Sequence, residues 1–321
     1  MPIVRYNKKC YSVDDDNSVL DVLLKNDIDF PYSCKIGTCH SCLTKLVDGE
    51  ISPEAQQGLK PTLGAKNYFL ACQCKPKSDI TIALPEQDDT AILSKVIDLS
   101  KLNHNVLRVR LSIDDPAPFQ AGQYINLITA ENLIRSYSIA NVPKEYIELH
   151  IKLIPDGLMS NYLTQRAQVG SPFHIRGPMG DCFYYNPKDK PFPIVLAGTG
   201  TGLAPLIGIA NDALENKHSG KIILIHGGIN ETDLYQHETL TALQKTHINF
   251  SYIPCVLNES HSIRQASIDT VLLQKLEGIE SKAHLFICGP EETTKKLKMK
   301  AFLAGVPSAS IYSDSFIMAN S

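Results

Sequence analysis

The chain has 321 residues, with 34 acidic and 31 basic side chains, a net charge of -3, 43% hydrophobic and 20% charged residues. This is an ordinary globular composition, long enough for two or three domains. The mild acidity speaks against nucleic acid, which calls for a basic patch, and no apolar run approaches the ~20 residues of a membrane helix, so neither is an expected partner.

The start, MPIVRYNKKCYSVDDD, has no basic stretch followed by a long apolar one. No signal peptide is expected, and a cytoplasmic location follows as the default. Two polar, proline-containing seams, residues 84–90 and 186–193, divide the chain into expected domains 1–88, 89–188 and 189–321.

The first segment opens with two short alternating stretches, PIVRY and CYSV. A helix is predicted over SVLDVLLKNDI, with Asp16 to Ser18 available to cap it. The loop YSCKIGTCHSC follows, then strands over LTKLVDGE and DITIAL. The pattern predicts a small mixed sheet packed on one helix.

Five of the nine cysteines fall between residues 34 and 74. Such clustering in a reducing compartment points to metal ligation rather than disulfides. Cys34, Cys39 and Cys42 are spaced C-x4-C-x2-C, and Cys72 lies thirty residues further on. This is the plant-type 2Fe-2S spacing. A loop that gives three thiolates to two irons must turn sharply and aim backbone N–H groups at the sulfurs. Gly37 suits both demands, since it accepts φ > 0 and has no Cβ. The alternative is zinc held by four cysteines. Zinc ribbons usually carry two similar C-x2-C pairs, whereas here a triplet precedes the C-x-C of Cys72 and Cys74.

With these motifs, residues 1–88 resemble a plant-type ferredoxin domain, a β-grasp fold. LACQCKP resembles that family's fourth-ligand region, with Pro76 four positions after Cys72. The resemblance implies Cys72 as the fourth ligand and Cys74 as a buried bystander.

The second segment reads as six strands, over SKVIDLS, VLRVRLSI, QYINLIT, RSYSIAN, IELHIKLI and PFHIRG. Their spacing predicts an antiparallel barrel. RSYS, residues 135–138, lies between FQAGQYINL and HIKLIPDGLMSNYL. A flavin dinucleotide needs a cation for pyrophosphate, a flat aromatic for its rings and donors for its polar atoms. Arg135, Tyr137 and Ser138 supply one of each, with Ser136 on the same strand.

This set resembles the flavin domain of the ferredoxin-NADP reductase superfamily. The resemblance implies Arg135 on the pyrophosphate, Tyr137 against the isoalloxazine and Ser138 near flavin N5. It also implies that GLMS forms a helix N-terminus receiving phosphate, which brings Gly157, Met159 and Ser160 into the site. Lys152 is a further candidate, with a solvated strand residue as the alternative. Gly177, Pro178 and Gly180 read as turn chemistry.

The third segment alternates. Strands are predicted over PIVLA, KIILIHG, NFSYIPCV, HLFICG and ASIYS, with helices from Pro205 and from about Leu234, Ile268 and Glu291. Continuous apolar strands in β/α alternation predict a parallel sheet covered on both faces. In PIVLAGTGTGLAP, Gly198, Gly200 and Gly202 alternate with Thr199 and Thr201 between strand and helix, where backbone N–H groups can hold a pyrophosphate.

This matches the pyridine-nucleotide motif of the same superfamily. FICGP resembles its late Cys-Gly-Pro, which implies Cys288 beside nicotinamide C4, with Gly289 and Pro290 adjoining. A buried strand-end cysteine is the alternative. HGGINETDLYQHE carries Glu231, Asp233 and Glu238 but no Lys or Arg. That suits NADH better than NADPH, with Asp233 the candidate for the adenosine ribose. IYSDSFIMANS resembles the family's closing aromatic motif, implying that Phe316 covers the flavin face that nicotinamide must reach. Five residues follow Phe316, which leaves open how the tail covers the flavin.

The three motif sets together resemble the reductase component of multicomponent oxygenases. That implies a multidomain chain: β-grasp ferredoxin, flavin-binding barrel and parallel-sheet nucleotide domain. It also implies hydride transfer from NADH to FAD at Ser138, Cys288 and Phe316, then single electrons through the cluster. The FAD assignment rests on domain order. The expected partner is a terminal oxygenase, and the chain is expected to be a monomer. Two alternatives stay open: a reductase for a deoxysugar dehydrase, or a non-catalytic zinc and nucleotide-binding module.

Overall fold

The structure is a computed structural model and describes residues 1–14, 16–86, 91–113, 119–185 and 191–317. The boundaries expected at 88/89 and 188/189 lie outside the described residues.

The first sheet is built from β1 (Ile3–Tyr6), β2 (Lys9–Ser12), β3 (Leu43–Asp48), β4 (Tyr68–Leu70) and β5 (Ile80–Ala83), in the order β2-β1-β5-β3-β4. Only β1 and β5 run parallel; the other pairs are antiparallel. Helix Val19–Lys25 starts at Ser18, whose hydroxyl accepts from Asp21 N while Asp21 returns the bond to Ser18 N. This reciprocal box satisfies two of the free donors at the helix start. The helix buries Val19, Leu20, Val22 and Leu23 against the sheet.

The second sheet holds β6 (Ile92–Lys101), β7 (Val106–Ser112), β8 (Tyr124–Ile128), β9 (Ile134–Ser138), β10 (Tyr146–Lys152) and β11 (Pro172–Met179). Its order is β10-β7-β6-β11-β8-β9, and every pairing is antiparallel. The two end strands meet through the Ile139–Leu149 bridge and the Ala140 N to Glu148 O bond of 2.9 Å. That contact curls the sheet into a barrel around Leu111, Ile125, Leu127 and Phe173.

The third sheet contains β12 (Ile194–Thr199), β13 (Ile222–Gly228), β14 (Phe250–Val256), β15 (Arg264–Gln265), β16 (His284–Pro290) and β17 (Ile311–Phe316), all parallel, in the order β15-β14-β13-β12-β16-β17. Alternate residues feed two cores. Ile194 and Leu196 face helices Leu203–Glu215 and His237–Thr246, while Val195 and Ala197 face helices Ile268–Leu276 and Glu291–Leu303. Strand order reverses beside β12, where open α/β sheets bind their ligands.

Two helix starts differ from expectation. The first begins at Leu203, after a single 3-10 turn over Gly200–Gly202. Pro205 still falls in the first turn, where a missing N–H is harmless. The second begins at His237 instead of Leu234, because Asn230 and Asp233 close their own 3-10 turn first.

Candidate functional site

The four expected cluster cysteines lie on the loop after helix Val19–Lys25 and on the turn after β4. They associate in twos. Cys34 N donates to Cys39 Sγ at 3.4 Å, and Cys39 N donates to Cys34 Sγ at 3.3 Å. A thiol hydrogen bond with Cys39 draws Cys34 down to about 4 and pushes Cys39 up. The second pair behaves alike: Cys42 draws Cys72 down to about 7 and is itself pushed up. Backbone N–H groups of Ile36 and Gly37 also point at Cys34 and Cys72. Gly37 has φ +84°, and a Cβ there would lie 2.9 Å from Gln73 Cγ. Gln73 in turn donates to Cys72 Sγ at 3.3 Å.

Among the described residues, no three Cys, His, Asp or Glu side chains gather around one ion position. Two thiol pairs side by side suit two irons better than a single ion held by four thiolates. Cys74 stands apart. It is fully buried in the hydrophobic core, and burial alone pushes its thiol up to about 12.

The cysteine loop sits directly on the barrel. Tyr124 OH donates to Thr38 O at 2.8 Å. Asn126 Nδ2 donates to Cys39 O at 3.0 Å, and its Oδ1 accepts from Ser136 Oγ at 2.7 Å and Ser41 Oγ at 3.2 Å. Tyr124 and Asn126 are on β8, opposite Ser138 and Ser136 of β9. Sequence reading missed Asn126, Ser41 and Tyr124, since nothing in their local pattern tells that another sheet will meet them.

Behind β9 a cavity of about 970 Å³ opens between the barrel and the third sheet. It brings together Arg135, Ser136, Tyr137, Ser138, Lys152, Gly157, Met159 and Ser160 from the barrel, and Thr199, Gly200, Thr201, Asp233, Pro290 and Phe316 from the third sheet. Ser160 Oγ accepts from Ile154 N at 2.9 Å, which fixes the turn entering helix Leu158–Gln165. A smaller cavity of about 430 Å³ adjoins, sharing Arg135 and Leu158 and reaching Tyr162 and Arg166.

Gly198, Gly202, Cys288 and Gly289 do not line the large cavity. The two earlier glycines allow close backbone contact instead. A Cβ on Gly202 would lie 2.1 Å from Cys288 O, and one on Gly198 would lie 2.9 Å from the same atom. The Cys288 thiol is fully buried, 3.7 Å from Cys182 Sγ. Its register partner on β17 is Asp314, whose Oδ2 accepts from Ser138 Oγ at 2.6 Å. Burial raises Asp314 to about 6, although the Ser138 bond pulls the other way.

Asp233 is already engaged. Its Oδ2 accepts from Asn230 N at 2.9 Å, and its Oδ1 lies 3.7 Å from His104 Nε2 on the β6–β7 turn. The motif Asn-x-x-Asp is a capping signal legible in the sequence. The carboxylate nevertheless remains at the cavity wall.

Three family models match in order: a 2Fe-2S iron-sulfur cluster binding domain over residues 4–77, an oxidoreductase FAD-binding domain over 93–184 and an oxidoreductase NAD-binding domain over 196–298. The phenol hydroxylase P5 protein of Acinetobacter pittii is 34% identical over 261 residues, spanning 76% of this chain and 72% of that protein. The chain belongs to the iron-sulfur flavoprotein reductases that form reductase components of oxygenase systems.

Another member of this reductase family, from Ralstonia, matches over 308 residues at 28% identity, 94% of this chain and 93% of its own length. It is the ferredoxin–NAD(P)+ reductase component of naphthalene 1,2-dioxygenase/salicylate 5-hydroxylase systems. Among solved structures, an Amycolatopsis cytochrome P450 reductase superposes with a TM-score of 0.69 at 26% identity, covering 98% of this chain and 99% of that one. The reductase is thus an NAD(P)H-dependent oxidoreductase with 2Fe-2S, FAD and NAD(H) as its cofactors. No helix among the described residues is long and apolar enough to cross a membrane.

Proposed function

We propose that this reductase takes a hydride from NADH at the β9–β17 contact and releases single electrons at the Cys34–Cys42 loop, for a terminal oxygenase component. The observation that carries the reading is the placement of Ser136 and Ser138 on one face of β9. Ser138 bonds to Asp314 of the third sheet, and Ser136 bonds to Asn126, which holds the cysteine loop. Residues two apart on a strand are separated by about 7 Å. One strand therefore touches both the side where hydride enters and the side where electrons leave.

When bound, FAD supplies the conversion between two-electron and one-electron transfer, and the cluster supplies the one-electron relay. Arg135 pairs with the pyrophosphate, and Tyr137 stacks on the ring system. The backbone at Gly157, Met159 and Ser160 gives the helix N-terminus to phosphate, while Lys152 stands at the rim. The smaller cavity next to Arg135 takes the adenosine half. Thr199, Gly200 and Thr201 receive the pyrophosphate of NADH, with Gly198 and Gly202 letting the strands close behind them. Asp233 faces the adenosine ribose, and Pro290 and Phe316 bound the nicotinamide side. Cys288 and Gly289 form the wall behind, in register with Asp314 and Ser315. Cys34 and Cys39 would hold the cluster from one side, and Cys42 and Cys72 from the other.

The domains are 1–88, 89–188 and 189–321, and the chain acts as a cytoplasmic monomer. A deoxysugar dehydrase as partner gains no support from relatives that are oxygenase components. An anaerobic titration of the reconstituted protein with NADH tests the reading. Flavin bands should bleach, followed by the thiolate-to-iron bands with a new paramagnetic signal. A protein that binds neither flavin nor iron after reconstitution refutes it.

A further inference from the structure

We propose that Asn126 is the positioning residue that holds the cluster loop in register with the flavin strand for electron transfer inside the chain. The inference rests on the functional reading above and adds a residue to it.

Asn126 is fully buried. Its side chain uses both ends of the amide. Nδ2 donates to Cys39 O at 3.0 Å, the carbonyl of a cluster-loop cysteine. Oδ1 accepts from Ser136 Oγ at 2.7 Å, on the strand that lines the flavin cavity. Oδ1 also accepts from Ser41 Oγ at 3.2 Å, and Ser41 and Ser136 hydroxyls lie 3.2 Å apart. Ser41 sits between Cys39 and Cys42 and is itself 1% exposed. The result is a closed triangle of side chains, two from the barrel and one from the cysteine loop, with Asn126 and Ser41 buried and Ser136 half-buried at the cavity wall.

A purely apolar seam would let the loop slide. Buried hydrogen bonds fix one register, because a shift leaves desolvated donors and acceptors unpaired. The Asn126 amide offers a donor and an acceptor on one short planar group, and here it uses both. Tyr124 adds a second tether on the same strand, through Thr38 O at 2.8 Å. The two tethers hold the carbonyls of Thr38 and Cys39, so they set where that thiolate stands relative to β9. The step they serve moves one electron. With FAD and the cluster bound, that electron would pass from the reduced flavin to one iron, with no bond formed or broken between them. Its rate falls steeply with distance, so a loosened loop slows this step and leaves hydride uptake alone. Outer contacts of this kind are commonly worth about 10- to 100-fold.

The test uses the full holoprotein with FAD and cluster bound. Asn126→Leu is mixed with NADH anaerobically, and flavin bleaching and cluster bleaching are followed at separate wavelengths. Amide hydrogen exchange is measured over residues 38–43. Flavin bleaching and ferricyanide reduction should match wild type. Cluster bleaching and cytochrome c reduction should slow by about tenfold or more, and exchange in the loop should rise. Asn126→Asp keeps the acceptor but loses donation to Cys39, so it should fall between the two. If Asn126→Leu does not fold, the pair Ser41→Ala with Tyr124→Phe decides, with the same ordering of the two phases expected. An unchanged cluster phase, or a flavin phase that slows equally, overturns the proposal. A wild-type protein lacking either phase would instead refute the functional reading itself.

Discussion

Ser138 Oγ donates to Asp314 Oδ2 at 2.6 Å, joining the barrel's β9 to β17 of the parallel sheet. The bond crosses 176 residues of chain and sits where the flavin and nucleotide motifs meet. Ser138→Ala should keep FAD bound but slow flavin reduction by NADH, on the order of 100-fold if the hydroxyl stabilises charge in hydride transfer. The Ser138 bond lowers Asp314, so its loss moves that carboxyl further up. The pH profile of flavin reduction should shift to higher pH in the variant. A single-turnover rate equal to wild type would remove Ser138 from the hydride step.

The same carboxyl makes a stability prediction. Asp314 rises from 3.8 to about 6 because burial disfavours its charge. The native state therefore holds this proton more tightly than the unfolded chain does. The resulting stabilisation is full below about 3.8 and is lost as pH rises through about 6. Asp314→Asn keeps an acceptor for Ser138 without the charge. It should match wild type near pH 4 and exceed it at pH 7 by at most about 3 kcal/mol. Urea denaturation at the two pH values checks this, and a gap that widens toward acid contradicts it.

Cys72 and Cys74 separate cleanly. Cys72 shares a contact with Cys42, whereas Cys74 is buried in the apolar core. Cys72→Ser should lose the native cluster spectrum and cytochrome c reduction, while ferricyanide reduction survives. Cys74→Ser should keep the cluster and lower stability by about 1–3 kcal/mol, the cost of burying a hydroxyl without a partner. Iron content and visible spectra of the two purified variants decide the matter.

Gly202 and Gly200 predict a graded pair. A Cβ on Gly202 meets the Cys288 carbonyl at 2.1 Å, while one on Gly200 meets nothing within 4 Å but takes φ +54°. Gly202→Ala should destabilise by about 1–3 kcal/mol or more through overpacking and weaken NADH binding. Gly200→Ala should lose only about 1–2 kcal/mol from left-handed strain. Thermal melts read both. A Gly200→Ala variant that suffers more than Gly202→Ala would reverse the assignment.

Asp233 caps a 3-10 turn, and its proposed ribose contact can be tested separately from that cap. Asp233→Ala should raise the KM for NADH relative to NADPH and remove about 1 kcal/mol of capping. Asp233→Asn can still accept from Asn230 N. A nucleotide preference left unchanged in Asp233→Ala would make capping the whole of its part and rule out the ribose contact.

Much of this molecule was legible in its sequence. Alternation marked β7 and β10, apolar runs marked β12 and β16, spacing marked Cys34, Cys39 and Cys42, and the family resemblance chose Cys72 over Cys74. What escaped has physical reasons. Strand β4 is three residues, Tyr68–Leu70, all fully buried, so it shows no alternation to detect. Helix Pro61–Ala65 is a single short turn. The delayed helix after β13 came from a local Asn230–Asp233 turn competing with helix growth. Cys288 was expected at the nicotinamide through resemblance, yet its thiol packs against Cys182 in the core. Asn126 escaped for a different reason. Its partners lie 87 and 10 residues away, and only the assembled fold brings them together.

Strand β9 constrains the chain in a way that substitutions alone do not reveal. Its even-numbered residues meet the cysteine loop and β17, while its odd-numbered ones turn the other way. Adding one residue between Arg135 and Ser136 would swap those faces beyond it, turning the Tyr137 ring toward the loop and both hydroxyls away from it. Electron entry and exit would fail together, although no functional side chain had been deleted. Across natural variants of this reductase, side chains in the strand can drift, but its length in residues should not.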